Sequence, residues 1–464
     1  MKISKKKNLL IILKQDGGMN NASSKLLAKF NKITLTSIIF LIFTTVNSKS
    51  FSIIKDAEIE NLLHDYTRDL IEVGFNNKAS NIYIVSDPSI NAFVVPNGDI
   101  YINVGLLYYA DTPNEVISII AHEIGHVINN HHITRSIELD TLRKKQSISQ
   151  ILGIGVGITG MMNESDTLSN LGSSISLSGS GIALRNYLKY SRTQEYDADM
   201  MAIKLMDSVG QSSIGLISIL EKINNQMQIE RTDINPLDMT HAFPGDRINL
   251  IREKVYSQKN SSVRDSKDLI SRHNLMRAKI IGHMNLPNIF DSNSIYFKYQ
   301  KSIRLYKNGK LDNALLILND LNDEIESIYF TELIAQIYFE KKQYNKSLEF
   351  INKAIAYNDK ESQFSILKAM ILLEMEGMEN IEESINILNN HIFDSNLNPQ
   401  IYWYLSQAYF KIENIGMADL NIAKYYTITN QTDRAINFAE RAKNNLTIYS
   451  NEWIQADDIS KTMN

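Results

Sequence analysis

The amino-acid sequence predicts a mainly helical protein of the α+β class, in which a small antiparallel sheet and a metal-binding helix are followed by an α-solenoid. Three observations carry this prediction. Short segments rich in β-branched and aromatic residues occupy 81–104. A strongly apolar helical pattern follows at 113–132 and contains two histidines four residues apart. From residue 295 onward the chain has the pattern of helix pairs at a nearly constant spacing.

The composition limits the classes of protein to which the chain can belong. With 464 residues and 44% hydrophobic composition it can form two or three domains with complete cores. It contains no cysteine, so any metal ion must be held by histidine and carboxylate side chains. Nine lysines and one acid lie in the first 50 residues, so removing them changes the formal net charge from −4 by eight units, to −12. Such acidity argues against a nucleic-acid partner.

A basic segment followed by an apolar run indicates an export signal at the N-terminus. The run Ile33–Val46 has 14 residues, fewer than the roughly 20 that a membrane-spanning helix needs. A small-x-small cleavage site follows at 48–50. We therefore predict a signal peptide region at 1–50, with Met19 as a candidate for the true start. The alternative is an uncleaved N-terminal membrane anchor.

Between the signal region and the metal-binding helix the sequence predicts one helix and three strands. The apolar spacing from Phe51 to Val73 indicates an amphipathic helix. Strand-like segments follow at Asn81–Val85, Ala92–Val95 and Asp99–Val104, with turn residues at 96–98. We expect the last two strands to form an antiparallel hairpin directly before the metal-binding helix.

The metal-binding helix is predicted from His122-Glu123-Ile124-Gly125-His126. A step of four residues turns a helix through about 400°, so the two histidines lie one above the other on one face. Two neutral imidazoles can then hold one metal ion, as in zinc peptidases, where the glutamate between them is the general base. A capping signal opens the helix, formed by Thr112, Pro113 and Glu115.

Two residues compete for the third metal-ligand position. Glu195 lies in a second predicted helix and has Asp199 four residues later on the same face, so a ligand and a supporting carboxylate would arrive together. His132 gives the metzincin spacing, with Asn129 in place of the usual glycine. If the first helix continues past Asn129, His132 lies about 280° around the axis from His122. The sequence favours Glu195, with His132 as the alternative.

Three segments together resemble the gluzincin metallopeptidases of the HtpX and Oma type. They are Asn91-Ala92-Phe93, the run from Gly98 to Leu107, and the motif from His122 to His126. The resemblance is greatest to periplasmic members with C-terminal tetratricopeptide repeats. It implies one zinc ion per chain, with Glu195 as the third ligand.

The resemblance also implies roles for residues outside the motif. In that family an edge strand binds the substrate backbone, and its counterparts here are Asn91, Ala92 and Phe93. The segment around His241 resembles a family loop with proline directly after the histidine, where this chain has Ala242. His241 is expected either to stabilise the oxyanion or to be a resting metal ligand. Arg247 is expected to orient this loop or a metal-site carboxylate.

An insertion separates the two helices that carry the predicted ligands. Ile151–Met162 is a glycine-interrupted apolar segment, and the serine- and glycine-rich run Ser169–Gly181 follows it. Neither can span a bilayer. Their position predicts a lid over the cleft that also contacts a membrane surface or an unfolded protein. A buried helix with a loop is the alternative.

The C-terminal part is predicted to be an array of tetratricopeptide repeats. Small residues recur at Ala314, Ser347, Ser384 and Ala418, at spacings of 33, 37 and 34 residues. We therefore predict a zinc-peptidase domain at 51–285, a short linker and a repeat domain at 295–464. The concave face of such an array binds protein segments.

These features together predict an exported zinc-dependent endopeptidase with a protein-docking domain. Glu123 would take a proton from the attacking water and deliver it to the leaving amine. The resemblance implies a periplasmic role in envelope and outer-membrane protein quality control, with stalled exported proteins as substrates and the outer-membrane assembly machinery as a partner of the repeats. The alternative is a chaperone or assembly adaptor whose metal site is latent or rarely active.

Overall fold

A computed structural model describes residues 53–75, 81–95, 98–131, 180–229, 244–392 and 398–462 of the chain. The side chains of 180–191, 227–229, 244 and 246 are not among those described. The predicted signal region, His132, His241 and the predicted lid up to residue 179 also lie outside the described residues. Within the described part, none of the helices combines the length and apolar character required to cross a membrane.

The sheet of the N-terminal part has four strands in the order β1-β2-β4-β3. Their bounds are Ile53–Ile54 for β1, Ile82–Val85 for β2, Ala92–Val94 for β3 and Ile100–Asn103 for β4. The predicted hairpin is present, because β3 and β4 are antiparallel with Ala92 opposite Ile102. The prediction of a purely antiparallel sheet is wrong, since β2 and β4 pair in parallel.

The position of β4 explains the mixed sheet. This strand lies between β2 and β3 and pairs with both, and its Ile100 and Ile102 are fully buried. The connection at 86–91 is long enough to carry the chain past β4 to its far side, where β3 begins the hairpin. A pattern of apolar residues identifies a strand but not its neighbours, so the parallel pair could not be seen in the sequence.

Seven helices of the N-terminal part are described. They are α1 (Ala57–Gly74), α2 (Val104–Tyr109), α3 (Pro113–Ile128), α4 (Ser180–Ser208), α5 (Ile214–Ile229), α6 (Pro244–Ser257) and α7 (Lys267–Met284). One hydrophobic core joins α1, the sheet and helices α2 to α7. The helix predicted from Phe51 begins only at Ala57, because the Asp56 side chain caps it by accepting from Ile59 N. The short helix α2 separates the hairpin from α3, so the hairpin does not directly precede the metal-binding helix.

Local hydrogen bonds fix the start of α3, the metal-binding helix. The Thr112 hydroxyl accepts from Glu115 N, and Pro113 occupies the first turn. The Glu115 carboxylate accepts from Asp111 N at 2.7 Å, one residue earlier than a capping box requires. The same carboxylate also accepts from Lys222 Nζ at 2.7 Å. The N-terminus of α3 is therefore anchored to α5.

Ten helices follow in the described C-terminal part and pack mainly on their sequence neighbours. They are α8 (Ile295–Lys307), α9 (Leu311–Glu324), α10 (Ile328–Glu340), α11 (Tyr344–Tyr357), α12 (Ser362–Glu374), α13 (Met378–Asn390), α14 (Gln400–Lys411), α15 (Ile415–Ile428), α16 (Thr432–Asn445) and α17 (Asn451–Thr462). The Ser347 hydroxyl donates to Ala335 O at 2.7 Å and the Ser384 hydroxyl to Ala369 O at 2.9 Å. Small residues thus lie where helices approach closely.

The two parts meet at a buried contact, which we call the junction cluster and define as Asp56, Glu58, Lys279 and Tyr299. Lys279 Nζ lies 2.7 Å from Asp56 Oδ2 and 3.2 Å from Glu58 Oε2. The Tyr299 hydroxyl donates to Glu58 Oε2 at 2.9 Å. Beside this cluster α7 and α8 pack so closely that a Cβ on Gly282 would lie 2.8 Å from Ile303 Cβ. Helix α8, the first helix of the C-terminal part, is therefore fixed to the N-terminal part.

Candidate metal centre

Helices α3 and α4 bring three potential metal ligands together. The His122 and His126 rings project from successive turns of α3, and their Nε2 atoms lie 3.0 Å apart. Glu195 on α4 places Oε2 at 3.3 Å from His122 Nε2 and Oε1 at 3.5 Å from His126 Nε2. All three side chains are buried, and one donor atom from each lies within 4.8 Å of the others.

This donor set fits a divalent metal ion. Two imidazole nitrogens and a carboxylate converge on one point away from bulk water, where their lone pairs need a shared cation. Two histidines and one carboxylate are a common set of protein ligands for zinc in catalytic sites. Cysteine is absent from the whole chain, so no thiolate competes for this role. The arrangement is what the spacing of the motif and the helix at Glu195 predict.

Gly125 allows the two ligand-bearing helices to approach. A Cβ at this position would lie 2.8 Å from Ala198 O and 3.2 Å from Met201 Cβ, both on α4. Any larger residue would therefore separate α3 from α4. The glycine inside the motif sets the distance at which Glu195 reaches the two histidines.

Asp199 and Arg247 surround the ligands with further charge. Asp199 Oδ1 lies 2.9 Å from His122 Nδ1, the ring nitrogen that faces away from the metal position. Arg247 on α6 binds Asp199 through Nη2 at 2.6 Å and Nε at 2.9 Å. Its Nη1 also lies 3.1 Å from Glu195 Oε2. One guanidinium thus bridges the proposed ligand Glu195 and the carboxylate that supports His122.

These contacts shift the protonation of the metal-free site. Burial and the positive charge of Arg247 lower the pKa of His122, but hydrogen bonds to Asp199 and Glu195 outweigh them and raise it to about 9. Burial raises the pKa of Asp199, yet Arg247 and His122 hold it below its usual value. A histidine binds metal only when neutral at the ligating nitrogen, so metal binding must release a proton from this site.

A third histidine, which the sequence analysis did not select, lies against the site. The chain after α3 turns at Asn130, whose φ of 55° is left-handed, and this turn places His131 beside His126. The two Nδ1 atoms are 2.9 Å apart and His131 is buried. The only signal in the sequence was the Asn129-Asn130 pair, since asparagine adopts the left-handed conformation more readily than most residues.

The other predicted site residues lie on α3, on or next to β3, and outside the described residues. Glu123 follows His122 on α3 and is buried. Ala92 and Phe93 lie on β3, which is an edge strand among the described strands and packs against α3. Asn91 precedes β3 and accepts from Asn103 N at 3.0 Å. His241, outside the described residues, stays a prediction.

Comparison with known proteins finds similarity in the part of the chain that carries this site. Residues 54–255 match the model of peptidase family M48. The chain is similar to the β-barrel assembly-enhancing protease of Escherichia coli, at 20% identity over 81% of this chain and 77% of that protein. It is also similar to the protein of the same name from Yersinia pestis, at 24% identity over 55% of this chain. That match spans about half, 53%, of the Yersinia protein. A third relative, metalloprotease LoiP of E. coli, is 26% identical over 39% of this chain and 64% of its own length.

Proposed function

Because residues 54–255 match the model of peptidase family M48, we propose that the chain is a zinc-dependent endopeptidase of envelope protein quality control. The observation that carries the proposal is the convergence of His122, His126 and Glu195 within 4.8 Å of one another. M48 peptidases are metal-dependent, and the ligand types here favour zinc. A bound zinc ion would supply Lewis acidity, which polarises a peptide carbonyl and makes water more acidic.

The side chains around the metal position have separate roles in the proposed reaction. Glu123 takes the proton of the attacking water and passes it to the leaving amine. Asp199 holds the His122 ring in the tautomer whose Nε2 is free to bind metal. Arg247 keeps Asp199 ionised inside the protein, and its guanidinium also contacts Glu195. His241 is proposed as the remaining group, either stabilising the oxyanion or binding the metal in a resting state.

The substrate is proposed to lie along β3. This strand pairs with β4 on one side and has no described strand on the other. It also packs against α3, so a peptide added at its outer edge would run past the metal position. Asn91, Ala92 and Phe93 would then contact the backbone of an extended substrate. Such recognition uses the main-chain groups of the substrate. It therefore suits unfolded or stalled proteins of varied sequence.

The proposal for the rest of the chain rests on the sequence and on the names of the relatives. We propose a signal region at 1–50, the peptidase domain at 51–285 and tetratricopeptide repeats at 295–464 for protein docking. The names of the relatives support a role in outer-membrane protein assembly, with the assembly machinery as the partner of the repeats. The proposed location is the periplasm, with the protein either released by cleavage or held by an uncleaved N-terminal segment.

The decisive experiment compares the purified chain with its Glu123→Gln variant. Both are expected to bind one zinc ion, because the substitution leaves the three ligands in place. Cleavage of an unfolded substrate protein should fall by roughly 100- to 10,000-fold in the variant, as expected when a general base is removed. If neither protein cleaves while both suppress aggregation of the substrate equally, the chain is a chaperone or adaptor and not a protease.

A further inference from the structure

His131 contacts a proposed metal ligand and has no role in the function proposed above. Its Nδ1 lies 2.9 Å from His126 Nδ1, and the two rings meet edge to face at 70° with centroids 5.0 Å apart. Each residue is 7% exposed, so solvent does not readily replace this contact. The pair therefore forms one defined hydrogen bond within the protein.

The way in which α3 ends brings His131 into contact with His126. On a continuous helix a residue five positions after His126 would lie about 140° around the axis and could not reach its ring. Instead α3 ends at Ile128, and Asn130 N donates to Val127 O at 2.9 Å. The left-handed conformation of Asn130 then reverses the chain and returns His131 to the last turn.

The direction of the hydrogen bond follows from the role of His126. Its Nε2 faces His122 and Glu195, so this nitrogen must be unprotonated to bind the metal. A neutral imidazole then carries its proton on Nδ1, which donates to His131 Nδ1. With His126 in this tautomer, His131 Nδ1 is the acceptor of the hydrogen bond. The contact is therefore compatible with the tautomer of His126 that can bind metal.

We propose that His131 is a positioning residue that fixes the tautomer and the ring orientation of His126. The inference rests on the proposed metal centre. The two histidine ligands would then be supported differently, because His122 has the carboxylate of Asp199 at its Nδ1 whereas His126 has a neutral imidazole. A neutral acceptor orients the ring without adding another negative charge beside Glu195.

The test measures zinc affinity by competition with a chelator in full-length protein. His131→Leu keeps a side chain of similar bulk but has no acceptor, and zinc affinity is expected to fall by roughly 10- to 100-fold. His131→Gln retains an acceptor oxygen and should recover most of that loss. His64→Leu is the matched control, since His64 is exposed on α1 with 72% of its side chain accessible, and its affinity should equal that of the wild type.

Two further measurements separate positioning from folding. Thermal unfolding of the zinc-free proteins should be similar for the Leu and Gln variants, while the visible spectrum of the cobalt-substituted protein should change in His131→Leu alone. Unchanged affinity in His131→Leu, or an equal loss in both variants, would overturn the inference while leaving the metal centre intact. If the wild type itself binds no zinc, the proposed function fails with it.

Discussion

The metal centre and the junction cluster are both buried groups of charged side chains, but they are completed in different ways. In the junction cluster the cation belongs to the chain, because Lys279 lies between Asp56 and Glu58 at 2.7 and 3.2 Å. In the metal centre Arg247 compensates the carboxylates from one side, while His122, His126 and Glu195 still face each other. The difference shows that one cluster is complete as folded and the other is organised around an added cation.

The same electrostatic rule explains both arrangements. Charge without a partner is costly inside a protein, so the carboxylates of both clusters have a cation beside them. Burial lowers the pKa of Lys279, but the acids around it, Asp56 first, raise it well above its usual value, which keeps the ammonium charged. A cluster with its own cation is charge-compensated as soon as the chain has folded, whereas one that needs a metal makes its chemistry conditional on metal supply.

Removing a proposed metal ligand should have the largest effect. Glu195→Gln leaves the shape of the side chain but removes its charge, so zinc affinity is expected to fall by more than the roughly 100-fold typical of groups that only support ligands. Proteolysis should be lost with the metal. Metal analysis and cleavage of an unfolded protein measure both effects.

Asp197→Asn is the matched control for this change. Asp197 lies on the same helix two residues away and is exposed. It should retain zinc and activity. Equal zinc content in Glu195→Gln and the wild type would move the third-ligand role to His132, the metzincin alternative.

Removing the internal cation tests the other half of the comparison. Lys279→Met leaves Asp56 and Glu58 buried without their partner, so the free energy of unfolding should fall by about 3–5 kcal/mol. Denaturant titration measures this loss. Adding Asp56→Asn and Glu58→Gln to the same protein should recover much of it, because the uncompensated charges are then gone. Lys353→Met, which removes an exposed pair with Glu349, should leave stability unchanged.

The next prediction tests whether His241 is a further metal ligand supplied by the chain. If His241 only stabilises the oxyanion, His241→Ala should reduce turnover by roughly 100- to 1,000-fold at equal zinc content. If it binds the metal in a resting state, the same substitution should raise proteolysis or cause self-cleavage. We favour the resting ligand, because Ala242 restrains the loop less than the proline of the family would. Unchanged turnover would exclude both roles.

The smallest expected effect is a pH dependence of stability next to the junction cluster. Burial raises the pKa of Glu332 to about 8, with Lys279 opposing this shift and Asp56, Glu361 and Glu58 adding to it. A raised pKa means that the folded state prefers the protonated acid, so this contribution is full below about 4.5 and is lost as the pH rises through about 8.

Glu332→Gln mimics the protonated acid and should remove this dependence. At pH 8.5 the variant is expected to be more stable than the wild type by a few kcal/mol, and at pH 5 the two should be similar. Denaturant titrations at both pH values measure the difference. Parallel pH profiles of the two proteins would show that Glu332 is ionised in the folded state throughout.

Whether the sequence could predict an interaction depends on how far apart along the chain the interacting residues are. The helical step from His122 to His126 is local, and so is the step from Glu195 to Asp199, so the pattern alone indicated which side chains share a face. Helix starts were predicted for the same reason, as at Thr112. The peptidase family was also visible in these short segments.

Interactions between distant segments could not be predicted. The contact of Arg247 with Asp199 spans 48 residues and that of Tyr299 with Glu58 spans 241. The parallel pairing of β2 with β4 depends on the order of the strands in the sheet, which the pattern does not show. The position of His131 required the conformation of a single residue, Asn130, to be known.

Helix α1 has a consequence for the order in which the protein matures. Its first turn carries Glu58 into the junction cluster, and its last residue, Gly74, lies so close to α3 that an added Cβ would be 2.6 Å from Ile124 Cγ2. Helix α1 is synthesised long before Lys279 and Tyr299. The acids at its start therefore gain these partners only after more than 200 further residues have been made. A truncated or incompletely synthesised chain therefore lacks the junction contacts of α1, the helix that packs against the metal-binding helix α3. We expect a nascent protease of this design to gain its final packing only after α8, the first helix of the C-terminal part, has been synthesised.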